Sequence, residues 1–106
     1  MTATGSRWVT VARTGQIPRG GLLVVRVEDM PVAIFHLPDG YYALKDVCTH
    51  DGGPVADGEL DGDVIECPRH GARFNVRTGA VVRLPATTPI LTIPVRVNGD
   101  DIQLEW

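Results

Sequence analysis

Two short motifs in the middle of the sequence constrain how the chain can fold. They are Cys48-Thr49-His50 and Cys67-Pro68-Arg69-His70, and sixteen residues separate them. Together they contain both cysteines and two of the three histidines in the 106-residue chain. The segment between them includes Asp61-Gly62, a two-residue hairpin signal. A hairpin there returns the chain on itself, so the two motifs are predicted to lie side by side.

The remaining sequence predicts one all-β domain spanning residues 1–106. Short runs of alternating apolar and polar residues are separated by turn signals, and no stretch keeps a 3.6-residue apolar period. The predicted strands are residues 7–12, 22–27, 31–37, 41–46, 58–60, 63–66, 73–76, 95–97 and 102–106. Residues 16–21 are expected to form a turn or a single helical turn, and residues 84–94, with three prolines, a stiff loop. We expect a small antiparallel β-sandwich with a two-loop insertion.

Composition and charge narrow the classes of function. The net charge of −3 argues against nucleic acid as the main partner, because phosphate binding favours a basic surface. No run reaches the 18 apolar residues of a membrane span, and residues 1–7 lack the apolar core of a signal peptide. We therefore expect a cytoplasmic protein that does not enter a membrane. In that reducing compartment two cysteines are expected to be metal ligands or thiols rather than a disulfide.

Charge is also unevenly distributed along the chain. Residues 46–66 contain seven acidic residues, whereas residues 69–83 contain four arginines and no acid. This pattern is compatible with ordinary solvated surface. It is also compatible with a polarised face that orients a docking partner.

The composition of the two motifs indicates a metal centre. Thiolate and imidazole suit zinc or iron–sulfur chemistry, and structural zinc accepts two cysteines with two histidines. Zinc fingers of this composition usually place the cysteines in one arm and the histidines in the other. Here each arm contributes one of each. That arrangement suits two unlike irons, as in a Rieske [2Fe–2S] centre.

The motifs resemble the signature of the Rieske family. Gly71-Ala72-Arg73-Phe74 continues the second motif as that family does, and the Thr78-Gly79 turn, the proline loop and the strand 94–97 extend the similarity to small bacterial Rieske ferredoxins. The resemblance implies the Rieske fold and one [2Fe–2S] cluster. It further implies that Cys48 and Cys67 bind the inner iron and that His50 and His70 bind the outer iron. No catalytic residue is implied.

Within that family, the sequence resembles the low-potential ferredoxins. Respiratory members carry two further cysteines joined as a disulfide, and the corresponding positions here are Gly53 and Arg69. Ala72 stands where high-potential members have a serine hydroxyl that bonds a cluster sulfide.

The resemblance implies a monomeric one-electron carrier in a dioxygenase system for aromatic hydrocarbon catabolism. Such a carrier takes electrons from an NAD(P)H-dependent flavin reductase and passes them to a terminal Rieske oxygenase. A small Rieske subunit of a nitrite reductase-type complex is an alternative. A structural zinc or interaction module is an alternative from a different class.

The third histidine limits what else the chain can be. Rieske oxygenases add a mononuclear iron held by two histidines and a carboxylate. With His50 and His70 assigned to the cluster, only His36 remains, so the chain cannot be a complete oxygenase. We expect a structural role for His36. Gly52-Gly53-Pro54 is either a plain loop or a segment whose backbone N–H groups also donate to cluster sulfur. The resemblance implies that Pro85 and Pro89 cover the other side of the cluster, and a solvent-exposed loop is the alternative.

Overall fold

Three antiparallel sheets make up the described part of the chain. The computed structural model describes residues 7–49, 52–84 and 86–106. Its strands are β1 (Trp8–Arg13), β2 (Leu22–Val27), β3 (Met30–Leu37), β4 (Gly40–Lys45), β5 (Glu59–Asp61), β6 (Val64–Glu66), β7 (Arg73–Asn75), β8 (Val81–Arg83), β9 (Thr92–Ile93), β10 (Val95–Asn98) and β11 (Asp101–Glu105). We call β1-β11-β10 the outer sheet, β2-β3-β4-β9 the central sheet and β5-β6-β7-β8 the distal sheet. The predicted all-β fold is confirmed.

Two short 3-10 turns, Thr14–Gln16 and Val55–Asp57, interrupt the strands. No helix within the described ranges is long and apolar enough to cross a membrane.

Strand β3 is buried on both of its faces. Its residues Val32 and Ile34 belong to the core that includes outer-sheet residues. Its residues Ala33, Phe35 and Leu37 belong to a second core that includes distal-sheet residues. Because successive side chains of a strand point to opposite faces, the central sheet lies between two cores. Each large side chain buried there stabilises the fold by roughly 1.5–3 kcal/mol.

Two short strands, β8 and β9, were not predicted from the sequence. Residues 84–94 were expected to form a loop throughout, but Thr92 and Ile93 form β9 by pairing with Leu44 and Ala43 of β4. Strand β8 has three residues and no clear alternation, and its pairing with β7 shifts register between Arg73 and Phe74. Strands this short are defined by their neighbours rather than by their own sequence pattern.

Arg77 joins the distal sheet to the central sheet. Its Nε donates to Asp63 Oδ2 at 3.3 Å, in the turn between β5 and β6. One of its terminal nitrogens donates to Asp39 and, at 3.3 Å, to the Tyr42 hydroxyl. The guanidinium also lies over the Tyr42 ring, 5.2 Å from its centroid. One side chain therefore ties the β3–β4 turn to the sheet that carries the second motif.

Gly58 allows the segment after the first motif to pack closely on β6. It ends the second 3-10 turn, and a Cβ atom at this position would overlap the carbonyl oxygen of Glu66. The same Cβ would lie 3.2 Å from Cδ of Pro68. Its φ of −86° is accessible to any residue, so the requirement for glycine comes from this contact and not from backbone strain.

Substitution of Gly58 by alanine should destabilise the protein, because the new methyl group must displace the β6 backbone. Overpacking of this kind lowers the free energy of unfolding by roughly 1–3 kcal/mol. Urea denaturation followed by circular dichroism measures the change. Gly15→Ala is the matched control, since a Cβ there meets no atom within 4 Å. Equal stability of the two variants would show that the Gly58 contact is not required.

Asp39 makes the stability of the Arg77 junction depend on pH. Hydrogen bonds from Tyr42 and Arg77 hold the pKa of Asp39 below its ordinary value of 3.8. A carboxyl group whose folded-state pKa is lowered stabilises the fold above its unfolded pKa, and the stabilisation is lost as pH falls through the folded pKa. The sensitive range for Asp39 therefore begins at about pH 4 and extends downward.

The substitution Asp39→Asn tests this dependence. The variant should melt at a lower temperature than the native protein at pH 7, and the difference should narrow as the pH is lowered from about 4 towards 2. Thermal unfolding at one fixed scan rate measures it. Asp100→Asn, in the exposed β10–β11 turn, is the control. Its melting temperature relative to the native protein should not show the same narrowing between about pH 4 and pH 2. A difference for Asp39→Asn that is constant with pH would contradict the assignment.

Candidate metal centre

Backbone hydrogen bonds join Cys48 to Gly52 and Gly53, and we call the segment 48–53 loop 1, of which residues 48, 49, 52 and 53 are described. The Cys48 N–H donates to the Gly53 carbonyl at 2.7 Å, and the Gly52 N–H donates to the Cys48 carbonyl at 2.7 Å. Gly52 has φ of +77°, a left-handed conformation that glycine adopts without a steric penalty. The Gly52 N–H is therefore used to close the loop.

The second motif forms a loop of the same length, residues 67–72, which we call loop 2. The Cys67 N–H donates to the Ala72 carbonyl at 2.7 Å, and the Gly71 N–H donates to the Cys67 carbonyl at 3.2 Å. Gly71 has φ of +75° at the position equivalent to the left-handed glycine of loop 1. The two loops thus have the same pattern of two backbone hydrogen bonds, and a cysteine is the first residue of each.

Both cysteine side chains are buried in the same core. Cys48 and Cys67 are members of the cluster that also contains Phe35 and Phe74, and no disulfide joins them. His70 is exposed in loop 2. His50 lies outside the described residues, so its predicted role cannot be compared with the structure. Across the described ranges, which omit His50, no group of three or more His, Cys, Asp and Glu residues is positioned to hold a metal ion.

The buried side chain of Asp46 forms a hydrogen bond next to loop 1. Asp46 is 6% exposed, and its Oδ1 accepts a hydrogen bond of 2.8 Å from the Ala56 N–H. Its own N–H donates to the Pro31 carbonyl at 2.9 Å. A carboxylate is costly to bury without such partners. Asp46 therefore links the segment before loop 1 to the 3-10 turn after it.

A third loop, residues 86–91, is attached to loop 1. The Thr49 hydroxyl donates to the Thr88 carbonyl at 2.5 Å. At its other end the Ile90 N–H donates to the Gly79 carbonyl at 2.9 Å, and a Cβ on Gly79 would overlap the Ile90 carbonyl. Loop 3 contains Pro89, which was expected to cover the cluster. Pro85, given the same role, lies outside the described residues.

Ion pairs connect the two strands that flank loop 2, β6 and β7. Glu66 and Arg73 are cross-strand partners on either side of the loop, and Arg73 Nε lies 2.8 Å from Glu66 Oε1. This hydrogen bond raises the pKa of Arg73. Arg73 also lies 3.7 Å from Asp61, and Arg83 lies 3.9 Å from Glu66. Arg73 and Arg83 therefore face acids from the preceding segment, so the two charge blocks of the sequence meet within the distal sheet.

His36 has the structural setting that was predicted for it. It is half-buried, its Nδ1 lies 2.8 Å from the Ile17 carbonyl oxygen, and its ring stacks on Tyr41 with centroids 4.1 Å apart. Tyr41 also lines two neighbouring surface clefts of about 240 and 470 Å³ beside β4. No cysteine or histidine lines either cleft, so neither competes with the loops as a metal site.

The donor set of the loops suits an iron–sulfur cluster. Two cysteines in equivalent loops supply thiolates within an apolar core, and the loop 2 histidine lies at the surface. Iron–sulfur clusters are held by cysteine thiolates, and the burial of a cluster in apolar surroundings influences its reduction potential. Sequence reasoning identified these residues but missed the supports Asp46, Gly58 and Gly79, because a single Asp or Gly in a loop carries no distinctive spacing.

Comparison with known proteins agrees with this site. Residues 7–95 match the model of the Rieske [2Fe-2S] domain family. The ferredoxin component of a naphthalene 1,2-dioxygenase system from Pseudomonas aeruginosa is 35% identical over 99 residues, covering 93% of this chain and 95% of the relative. The ferredoxin subunit of a 3-phenylpropionate/cinnamic acid dioxygenase from Shigella boydii is 40% identical, covering 84% of each chain.

A solved structure shows the same fold. In the complex of reduced oxygenase and oxidized ferredoxin in carbazole 1,9a-dioxygenase, one chain superposes with a TM-score of 0.86 and 37% identity, covering 92% of each chain. These similarities confirm the Rieske interpretation of the motifs and favour it over a zinc module. The chain belongs to the Rieske [2Fe-2S] domain family and carries one Rieske-type [2Fe–2S] cluster.

Proposed function

We propose that this protein is a one-electron carrier that delivers electrons to a terminal Rieske oxygenase. The observation that carries the proposal is its similarity, along nearly the whole chain, to ferredoxin components of dioxygenase systems. Those relatives are electron carriers and not the enzymes of their systems. The single remaining histidine, His36, is used structurally, which agrees with a carrier that lacks a mononuclear iron site.

The proposed ligands are Cys48 and Cys67 for the inner iron and His50 and His70 for the outer iron. The burial of both cysteines supports their assignment to the inner iron, and the exposure of His70 supports its assignment to the outer iron. An outer iron held in part by the exposed His70 would bring the redox centre close to a docked partner. When bound, the cluster supplies one-electron transfer, and the cysteines and histidines of the two motifs would hold it.

The charge of the ligand set places the reduction potential above that of a four-cysteine cluster. Two ferric ions, two sulfides and two thiolates sum to zero because imidazole is neutral, whereas four thiolates leave two negative charges. A neutral centre accepts an electron more readily. Ala72 offers no hydroxyl to a cluster sulfide, so we expect a potential towards the low end of the Rieske range, which spans roughly −150 to +300 mV.

The proposed electron donor is an NAD(P)H-dependent flavin reductase, and the acceptor is a terminal oxygenase acting on an aromatic hydrocarbon. The carrier would work as a monomer in the cytoplasm, where reducing conditions keep cysteine thiols available as ligands. Its complexes must be transient, because a shuttle has to leave one partner before it reaches the next. Interfaces of such carriers bury less than about 1,200 Å².

Anaerobic redox titration of the purified protein tests the proposal. The expected result is a red-brown protein with two irons and two sulfides per chain that accepts one electron. Electron delivery to an oxygenase is then followed by the change in the visible spectrum of the oxygenase cluster. A colourless protein with one bound zinc, or a cluster that takes up no electron, would overturn the proposal.

The substitution His70→Cys tests the assignment of the outer iron. A third thiolate adds negative charge, so the variant should keep a cluster but have a more negative potential, nearer the value of roughly −400 mV for plant-type ferredoxins. Because His70 is exposed, its replacement leaves the buried core unchanged. Spectroelectrochemistry measures the shift, with His36→Gln as the control for loss of a histidine elsewhere. An unchanged potential would remove His70 from the ligand set.

The substitution Cys67→Ala tests the inner iron. The variant should lose the visible absorption and the bound iron. Its melting temperature should fall as well, because the free energy of cluster binding no longer stabilises the folded state. Iron analysis and thermal unfolding measure the two effects, and chemically depleted native protein provides the reference for the second. A variant that retains an intact cluster would contradict the proposed ligands.

A further inference from the structure

A cleft of about 470 Å³ lies between the open edges of the outer and central sheets. Val95 and Val97 of β10, the last strand of the outer sheet, line one side of it. Tyr41 and Tyr42, at the start of β4 in the central sheet, line the other side. Binding pockets in proteins have volumes of this order, so the cleft has room for several side chains of a ligand.

Strand β10 presents backbone hydrogen-bonding groups to this cleft. It pairs with β11 on one side, and no strand of the described ranges pairs with its other side. The Glu105 N–H donates to the Pro94 carbonyl at 3.0 Å. Because bonded and non-bonded positions alternate in an antiparallel pair, the N–H and C=O groups of Val95 and Val97 point away from β11. Such an edge is a template for the addition of a strand.

Strand β4 is also open beside the cleft. The Lys45 N–H donates to the Leu91 carbonyl at 2.9 Å, so alternate residues of β4, including Tyr41, direct their backbone groups to the same side. Strand β9 ends at Ile93, opposite Ala43. Within the described ranges no strand continues β9 alongside Tyr41, because the chain passes to the outer sheet at β10.

The inner side of the β10 edge is apolar. Val95 and Val97 pair with Leu104 and Ile102, which are both fully buried, so the two valines belong to the inner face of the outer sheet. Val97 is nevertheless 46% exposed, because the cleft opens beside it. Tyr41 packs against the same core from the other side. Apolar side chains of an added strand would therefore be covered by Val97 and Tyr41.

Arg96 gives the outer face of the same edge a positive charge. Its guanidinium lies 4.4 Å from the centre of the Trp8 ring, and its Nε donates to Gln103 at 2.7 Å. The side chain therefore extends back over the outer sheet and leaves the edge accessible. Asp101 and Glu105 lie on this face of β11, but Asp101 pairs with another arginine, and in the described ranges neither forms an ion pair with Arg96. An acidic residue opposite Arg96 on an added strand would be stabilised.

We propose that the β10 edge binds an extended segment of another protein, in antiparallel pairing, in which an acidic residue lies between two apolar residues. The acidic residue pairs with Arg96, and the apolar residues enter the cleft beside Val97 and Tyr41. Strand addition of this kind takes affinity from main-chain hydrogen bonds and specificity from alternate side chains. A second copy of the chain fits less well. Symmetric pairing of two β10 strands about Arg96 or Val97 places the two Arg96 side chains opposite or diagonal to each other, and like charges there are destabilising.

The position of the cleft separates this binding from the cysteine loops. Tyr41 is near the start of β4, whereas loop 1 follows its end. Arg77, which lines the adjoining cleft of about 240 Å³, follows the end of β7, whereas loop 2 precedes its start. A segment bound at β10 would therefore leave both loops uncovered.

Titration of the isotope-labelled holoprotein with the peptide acetyl-Thr-Val-Glu-Val-Thr-amide tests the proposal. The NMR signals of the Tyr41, Val95 and Val97 amides should shift in a saturable manner. Signals of β2, the other edge strand of the central sheet, should not shift. N-methylation of both peptide valines should abolish binding, because their N–H groups face β10 in antiparallel pairing. N-methylation of the peptide glutamate, whose N–H points away, should not.

A charge exchange tests the role of Arg96. Replacement of the peptide glutamate by lysine should raise the Kd about fivefold. With the variant Arg96→Glu the lysine peptide should bind more tightly than the glutamate peptide. Arg19→Glu is the matched control, since Arg19 is also exposed but lies outside β10, and it should keep the native preference.

Three outcomes would overturn the inference. They are the lack of a saturable shift at the β10 edge, equal shifts on β2, and the same peptide preference in the native protein and in Arg96→Glu. A dimer in sedimentation velocity that the peptide dissociates would assign the edge to a second copy and would overturn it as well. Electron uptake by the cluster is measured separately, so the proposed carrier function does not depend on any of these results.

Discussion

The close contact between Gly58 and the β6 backbone determines how the two cysteine loops are placed. Loop 1 leads through the second 3-10 turn to Gly58, and loop 2 begins directly after Glu66, whose carbonyl Gly58 approaches. A side chain at Gly58 would push these two segments apart. The hairpin β5–β6 reverses the chain direction. Because Gly58 has no side chain, the segment before this hairpin can pack directly on the segment after it. The spacing of the cofactor site therefore depends on a residue that contributes no functional group.

The site is built on one face of a sheet that is buried on both faces. Strand β3 sends alternate side chains into two cores, and the core on the distal side includes both cysteines. Arg77, through Asp39, Tyr42 and Asp63, adds a polar connection at the edge of the same layer. The side chains of both cysteines are held in a packed core and have little freedom to move. As the proposed cluster ligands they would favour fast electron transfer, because little rearrangement would accompany the change of charge.

The sequence predicted the strands that have a clear pattern, and the distinctive spacing of the two motifs predicted the family. Strand β2 was predicted with its observed ends, and β3, β4 and β11 to within about one residue. The cysteine and histidine pairs were recognised because few chemistries require that arrangement. Strands β8 and β9 were missed because two or three residues cannot establish a period, and pairing with β7 and β4 defines them. Asp46, Gly58 and the Thr49–Thr88 link act through contacts between distant segments, which no local pattern contains.

The hydrogen bonds that close loops 1 and 2 run between main-chain atoms alone. They involve neither the thiol groups nor the imidazoles that are proposed as cluster ligands. The bonds that close the loops and the bonds that would hold the cluster thus use different atoms of the chain.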